Sequence, residues 1–160
     1  MNLKATIGME THVELDTKSK MFCSCEVVET DEPNVSVCPT CLGLPGALPV
    51  PNKTAIEYIV MLSLGANCKI TNEGMFHRKN YFYPDLPKNY QISQFDFPVG
   101  VNGSLEIVLD EELHSVEIER VHMEEDTGKS VHMGSGRIDS ATSTLLDFNR
   151  SGIPLVEVVT

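Results

Sequence analysis

Alternating apolar and polar side chains predict a β-strand near the start of the chain. Apolar residues recur at alternate positions through most of residues 5–15, which is the period of a strand with one buried face. Residues two apart on a strand point to the same side. Glu10 and His12 are therefore expected to share a face, roughly 7 Å apart along the strand.

Turn residues predict antiparallel pairing further along the chain. Asn102-Gly103 suits a type I′ turn and is expected to close a hairpin between residues 99–101 and 105–109. A second turn is predicted at residues 110–112. The later predicted strands are residues 116–125 and 154–159.

One segment has a helical pattern. Asn52 is placed to cap a helix from Lys53 to about Leu64. Its apolar residues cover most of the circumference, so the helix should be largely buried. Prolines exclude a continuous helix from the aromatic-rich residues 76–97, and residues 134–136 (Gly-Ser-Gly) are expected to form a loop.

Length and composition favour a single domain. The 160 residues suffice for one substantial core and are few for two. We expect an α+β fold over residues 1–160, mainly antiparallel β-sheet with one or two buried helices. Because the last residue, Thr160, stands inside or directly after an apolar strand, the sequence is expected to be truncated.

Neither a membrane span nor a secretion signal is evident. No apolar run approaches the roughly 20 residues that a span needs, and the chain opens directly on strand-like alternation. We therefore expect a cytoplasmic protein without membrane contact, in which thiols stay reduced.

The charge balance bears on possible partners. Twelve basic and 23 acidic side chains give a formal charge of −11. This excludes a protein that holds nucleic acid by charge alone, because Lys and Arg supply most of that affinity. The acids are either a solvated surface or partly neutralised by bound cations.

Four of the five cysteines form two closely spaced pairs. The pairs are Cys23-x-Cys25 and Cys38-x-x-Cys41. Two such pairs supply the tetrahedral thiolates that Zn²⁺ prefers, so a closed structural zinc knuckle is predicted in an insert of about residues 22–42. Unrelated buried thiols and a redox Cys-x-x-Cys explain the pairing less well. Cys68 is expected to be an inert core residue.

The strand that ends at residue 125 changes character along its length. Its even-numbered face carries Val116, Ile118, Arg120, His122 and Glu124. Either a bulge shifts the alternation, or the strand runs from the core into a polar site. Close carboxylates repel by about 4 kcal/mol per pair at an effective dielectric near 20. The acids 124–126 form either a solvated turn or, if Glu10 and His12 lie nearby, a Mg²⁺ or Mn²⁺ site.

Six segments together resemble a known family. They are IGMETHVEL (7–15), CPTCLGLPGALPV (38–50), RKNYFYPD (78–85), QISQF (91–95), HMEEDTGK (122–129) and DFNRSGIPLVE (147–157). These segments resemble the B subunit of the tRNA-dependent aspartyl/glutamyl amidotransferases, a family that includes the archaeal E subunit. The match covers nearly the whole chain and is closer to the B type.

The resemblance implies an ATP-dependent transamidation of Glu-tRNA(Gln) or Asp-tRNA(Asn). This subunit would move the γ-phosphoryl group of ATP to the tRNA-linked carboxylate, and ammonia from a partner amidase (A) subunit would displace phosphate. A small C subunit and the tRNA acceptor end are the other expected partners. The resemblance also implies a catalytic cradle domain, with C-terminal helical and tail domains absent from this sequence.

The resemblance also assigns site residues. The implied Mg²⁺ ligands are Glu10, His12, Glu124, Glu125 and Glu157. Glu124, Glu125 and Arg150 are the implied catalytic residues. Glu157 has independent support, because an unpaired carboxylate on an otherwise apolar strand would be costly. Some relatives lack the cysteines, so the zinc would stabilise the fold without taking part in the chemistry.

The aromatic and basic stretch allows two interpretations. Tyr81 and Tyr83 either stack on the tRNA acceptor end or, like Phe82, pack in the core of a proline-braced loop. Core packing is the expectation for Phe82. Lys79 and Lys88 are candidates for contacting phosphate or lining the ammonia route. Arg150 either neutralises a transferred phosphoryl group or pairs with an acid.

One alternative function remains open at the level of sequence. The chain would then be a zinc-stabilised module that binds tRNA or a partner without chemistry of its own. A glutamine-hydrolysing subunit lacks support, because no Ser or Cys stands in a recognisable nucleophile motif. No phosphate-binding Gly-rich motif locates the ATP pocket.

Overall fold

The computed structural model describes residues 3–134 and 141–160. The predicted loop at residues 134–136 lies, apart from Gly134, outside this part of the chain. Within it the elements are β1 (Glu10–Glu14), α1 (Lys53–Gly65), β2 (Lys69–Ile70), β3 (His77–Asn80), β4 (Tyr90–Ser93), β5 (Gly100–Leu109), β6 (Glu112–Glu125), β7 (Lys129–Met133), β8 (Ser143–Asp147) and β9 (Pro154–Val159).

The strands confirm the predicted antiparallel α+β fold. The main sheet has the order β1-β9-β6-β4-β3, and β5 joins β6 on one side and β2 on the other. Strands β7 and β8 form a separate hairpin, and every strand pair is antiparallel. Strand β9 therefore lies between β1 and β6, which brings the start of the chain to the strand that carries the acids.

The helix begins as predicted but is less buried than predicted. The Asn52 side chain accepts hydrogen bonds from the amides of Thr54 and Ala55, at 3.0 and 3.3 Å. The face that packs on the sheet is buried, through Ala55, Ile59 and Ser63. The opposite face is open, with Met61 64% exposed and Leu64 58% exposed, because no described residue covers it.

The hairpin turn lies at residues 110–111 and not at Asn102-Gly103. Strand β5 continues through Asn102, and Leu109 pairs with Glu112 across the turn. Asp110 and Glu111 have φ values of 52° and 65°, as a two-residue type I′ turn requires. The second predicted turn is thus confirmed, and the first is wrong.

Near Asn102 the alternation of core-facing and outward-facing side chains shifts by one position along β5 and β6, and this shift positions the site. Its φ is 52°, and a Cβ on either neighbouring glycine, Gly100 or Gly103, would contact Cys68. Opposite them on β6, Ile118 and Val121 both belong to the core although they are three positions apart. The register between β5 and β6 is the same on both sides of Asn102, so no residue is inserted and the bulge interpretation is wrong. Beyond the shift, β6 turns its even-numbered side chains away from the core and into a polar site, as the second interpretation predicted.

The core lies between helix α1 and one face of the sheet. Its buried members include Met21, Ile59, Val121, Met123 and Val156, and Cys68 is also buried there, as predicted. The residues of β6 and β9 that alternate with these core positions face the other way. Ionisable side chains collect on that second face.

Candidate metal centres

Cross-strand pairing builds a cluster of two histidines and two glutamates. His12 on β1 lies opposite Glu157 on β9, and Glu157 lies opposite His122 on β6. Residues directly opposite on neighbouring strands have their side chains on the same face. Glu124 stands two residues beyond His122 and so shares that face.

The cluster is tight and mostly buried. His12 Nε2 lies 3.4 Å from Glu124 Oε2 and 3.7 Å from Glu157 Oε2. His122 Nε2 lies 3.1 Å from Glu157 Oε2 and 3.5 Å from Glu124 Oε1. Glu124 and Glu157 are 4% and 8% exposed. Donor atoms of His12, Glu124 and Glu157 all lie within 4.8 Å of one another, close enough to share one ion.

The electrostatics favour an ionised acid at this point. Burial acts to raise the pKa of Glu124, but the close contact with His122 and its charge, followed by the charge of Lys79, outweigh it and lower the pKa. Both ring nitrogens of His122 are buried, and although Nε2 lies close to both carboxylates, neither nitrogen makes a hydrogen bond of regular geometry within the described residues. Paired carboxylates, imidazoles and unsatisfied nitrogens fit a divalent cation such as Mg²⁺ or Mn²⁺.

Glu10 borders this cluster without joining it. It is exposed on β1, and it lines the same cleft as His12, Glu124 and Glu157. The cleft has a volume of about 560 Å³. The predicted shared face of Glu10 and His12 is thus present, and Glu10 lies at the rim.

Glu125 lies on the opposite face of the sheet from Glu124. Its carboxylate pairs with the ammonium of Lys88 and accepts a hydrogen bond from the Ile92 amide at 3.2 Å. It is 2% exposed. Because consecutive strand residues alternate in direction, the structure does not bring Glu125 into the group with His12, Glu124 and Glu157.

The other predicted site residues divide between the cleft and its surroundings. Lys79 lines the cleft, and the Tyr81 hydroxyl donates to Gln91 Oε1 at 3.2 Å. Burial, followed by the charge of Asp85, raises the pKa of Tyr81. Tyr83 is 60% exposed.

Phe82 and Arg150 have outward positions. Phe82 is 80% exposed, so the expectation that it packs in the core is wrong. The loop 81–89 turns this side chain away from the sheet. Arg150 Nε lies 3.3 Å from Asp126 Oδ2 and donates to the Thr127 carbonyl at 3.1 Å. The acid-pairing interpretation of Arg150 therefore describes its present contacts.

One residue of the cluster and one of the cleft were not singled out from the sequence as site residues. His122 belongs to the cluster. The sequence could have indicated this, because His122 stands two residues before Glu124 on a predicted strand and so shares its face. The Arg120 guanidinium lies 4.1 Å from the centre of the Phe95 ring, and its Nε is buried without a hydrogen bond among the described residues. Arg120, Arg78 and Lys79 line the same cleft as the acids.

The four cysteines form a second candidate metal centre. Sulfur atoms of Cys23, Cys25, Cys38 and Cys41 all lie within 4.8 Å of one another, and none forms a disulfide. A hydrogen bond from Cys23, acting against burial, lowers the pKa of Cys41 to about 5. The same bond raises the pKa of Cys23. These shifts favour a thiolate at Cys41, and the four sulfur donors fit a metal ion such as zinc.

Fold and sites together define an α+β domain with two separate candidate metal centres, one of cysteines and one of histidines and glutamates. The chain belongs to the GatB/GatE catalytic domain family, which matches residues 5–160. No helix in residues 3–134 and 141–160 has the length and apolarity to cross a membrane.

Curated relatives agree with this family. Two of them are the B subunits of the aspartyl/glutamyl-tRNA(Asn/Gln) amidotransferases from Frankia casuarinae and Nocardia farcinica. Each is 59% identical in sequence over an alignment that covers 96% of this chain. The protein of the same name from Mycobacterium leprae is 57% identical over 156 residues. The chain spans about 31% of the length of these relatives.

Proposed function

We propose that this chain is the phosphorylating part of a tRNA-dependent amidotransferase acting on Glu-tRNA(Gln) or Asp-tRNA(Asn). The observation that carries the proposal is the cluster of His12, His122, Glu124 and Glu157, three of which line a cleft together with Arg78, Lys79 and Arg120. Phosphoryl transfer depends on positioning and charge neutralisation more than on covalent catalysis. A cleft with hard oxygen ligands and several cations supplies both.

The reaction joins ATP, a tRNA-linked carboxylate and ammonia. The carboxylate oxygen attacks the γ-phosphorus, ADP leaves, and ammonia then displaces phosphate from the acyl phosphate to give the amide. Bound Mg²⁺ would neutralise charge on the phosphates. Because their donor atoms lie close enough to share one ion, Glu124, Glu157 and His12 would hold it, with Glu10 at the rim of the cleft. Lys79, Arg78 and Arg120, which line the same cleft, would bind phosphate oxygens.

Exposed aromatics support an acceptor-end contact. Phe82 and Tyr83 project from the loop next to the cleft, 80% and 60% exposed, and unpaired bases stack on such side chains. The net charge of −11 argues against a broad electrostatic grip on tRNA. We propose that this region contacts the acceptor end while A and C subunits and other parts of the protein complete the complex in the cytoplasm.

The deciding variant is Glu124→Gln in the complete enzyme complex. Loss of the Glu124 charge should weaken binding of the proposed Mg²⁺ and lower the rate of ATP-dependent amidation by at least about a hundredfold. A bound metal ion stabilises a phosphoryl-transfer transition state by several kcal/mol. Glutamine hydrolysis by the partner should remain measurable. Glu117→Gln, at an exposed position of the same strand, is the matched control. Undiminished amidation by Glu124→Gln would overturn the assignment.

The four cysteines are proposed to hold structural zinc. A closed set of four thiolates leaves no open coordination position for chemistry. Metal analysis of the purified protein should find about one zinc per chain. Finding none after purification and reconstitution in the presence of zinc and reductant would contradict the site.

A further inference from the structure

A lysine side chain lies almost completely buried beside the four cysteines. Lys20 is 1% exposed. No carboxylate in the described ranges 3–134 and 141–160 forms an ion pair with it, in contrast to Lys53 and Lys88. Burial of an unpaired ammonium is strongly unfavourable. The position of Lys20 therefore calls for negative charge from another source.

Every donor of the Lys20 ammonium has an identified acceptor. Nζ donates to the Ser36 carbonyl at 2.7 Å and to the Phe148 carbonyl at 3.1 Å. The third contact is Cys41 Sγ at 3.8 Å, and an ammonium has three hydrogens to give. Two acceptors are neutral carbonyls, so the cysteine group is the only counter-charge among these three contacts.

We propose that Lys20 is the outer cation of the four-cysteine metal site, an inference that rests on the proposed zinc site. A zinc ion with four thiolates carries two negative charges in excess. Lys20 offsets one of them through its hydrogen bond to Cys41. Groups that hydrogen-bond to metal ligands orient them and tune their affinity for the ion, and Lys20 does this from the buried side of the site.

Lys20 also joins the metal site to the turn before β9. Its bond to the Phe148 carbonyl fixes the start of the turn 148–152. The next residue along the chain, Met21, donates its amide to the Gly152 carbonyl at 2.7 Å, and the Gly152 amide donates to the Asp126 carbonyl at 2.9 Å. The turn therefore connects the cysteine site with the segment that follows the end of β6.

Zinc affinity of the complete protein tests this role. Lys20→Met removes the charge and all three donors, and Lys20→Gln removes the charge while keeping an amide donor. Lys18→Met changes an exposed lysine of the same loop and is the matched control. In competition with a chromophoric chelator, both Lys20 variants should lose about 10–100-fold in zinc affinity, and Lys18→Met should bind as the wild type does.

Cobalt substitution gives a readout that a general loss of stability would not produce. Because both Lys20 variants lack the positive charge that stabilises the Cys41 thiolate, the thiolate-to-Co²⁺ charge-transfer band should move to lower energy in both. Circular dichroism verifies that the variants fold. If Lys20→Met does not fold, the comparison is made with Lys20→Gln alone. Zinc affinity equal to that of Lys18→Met, with an unmoved band, would overturn the role of Lys20. A wild-type protein that binds no zinc would contradict the cysteine site itself.

Discussion

At the scale of single residues, one step along β6 separates two carboxylates with different tasks. Glu124 faces the cleft and the two histidines, whereas Glu125 faces Lys88 on the core side of the sheet. Both are almost completely buried. The first belongs to the proposed cation site, and the second is paired with the Lys88 ammonium.

The Glu125–Lys88 pair is therefore expected to act on stability. Glu125→Gln leaves the Lys88 ammonium buried without its partner, which should cost about 3–5 kcal/mol in the free energy of unfolding. Urea denaturation of the complete protein measures it. The double variant Glu125→Gln with Lys88→Met should recover part of the loss, since no charge is then left unpaired.

A surface pair supplies the comparison. Lys53 and Glu57 form an ion pair on the exposed side of helix α1, and Glu57→Gln should cost less than about 1 kcal/mol. Equal losses for Glu125→Gln and Glu57→Gln would mean that the buried pair contributes no more than a solvated one.

At the scale of elements, the end of β8 connects the cysteine insert to the sheet. Asp147 Oδ1 accepts hydrogen bonds from the amides of Asn149 at 2.9 Å and Asn34 at 3.0 Å. Asn149 Oδ1 in turn accepts from the Ser36 amide at 2.9 Å. These bonds attach Asn34 and Ser36 of the insert to the segment that leads into β9, so one segment connects the two candidate metal centres.

Asp147 should make this connection pH-dependent. Burial acts to raise its pKa, but hydrogen bonds from the Asn149 and Asn34 amides outweigh it and lower the pKa below the ordinary 3.8. The unfolded chain then binds the proton more readily than the folded one. The stability that the carboxylate supplies is complete at pH values above its ordinary pKa. It is lost as the pH falls through the lower pKa of the folded state.

The variant Asp147→Asn tests the direction of this dependence. It keeps an oxygen acceptor but cannot ionise, so it should be less stable than the wild type at pH 7 by no more than about 1 kcal/mol, because water screens this partly exposed group. The difference should shrink below about pH 4. A stability difference that widened with acid would contradict the lowered pKa.

At the scale of the whole molecule, the antiparallel sheet brings distant segments to one face. Alternation in residues 5–15 and the acids near residue 125 predicted the two outer strands of the cluster. Their meeting through β9 requires the pairing order β1-β9-β6. Partners are about 140–150 positions apart between β1 and β9 and about 30–40 positions apart between β9 and β6. Local pattern carries no information on that order, and only the family resemblance placed the two outer segments in one site.

The departures from expectation also have local physical causes. Asn102-Gly103 has the composition of a turn, but Gly103 is required because a side chain there would meet Cys68 Sγ at 2.4 Å. The apolar circumference of α1 predicted burial on all sides, while the described residues cover one face. Glu124 and Glu125 were assigned to one site by resemblance, although alternation along a strand points neighbours in opposite directions.

The most direct test of the central claim is the position of a divalent cation in crystals of the complete protein. Crystals grown with Mn²⁺ and a non-hydrolysable ATP analogue should show an anomalous scattering peak between Glu124, Glu157 and His12. The analogue's phosphates should lie toward Lys79 and Arg120. An ATP analogue bound with its Mn²⁺ outside this cleft, and no peak at the cluster, would contradict the account.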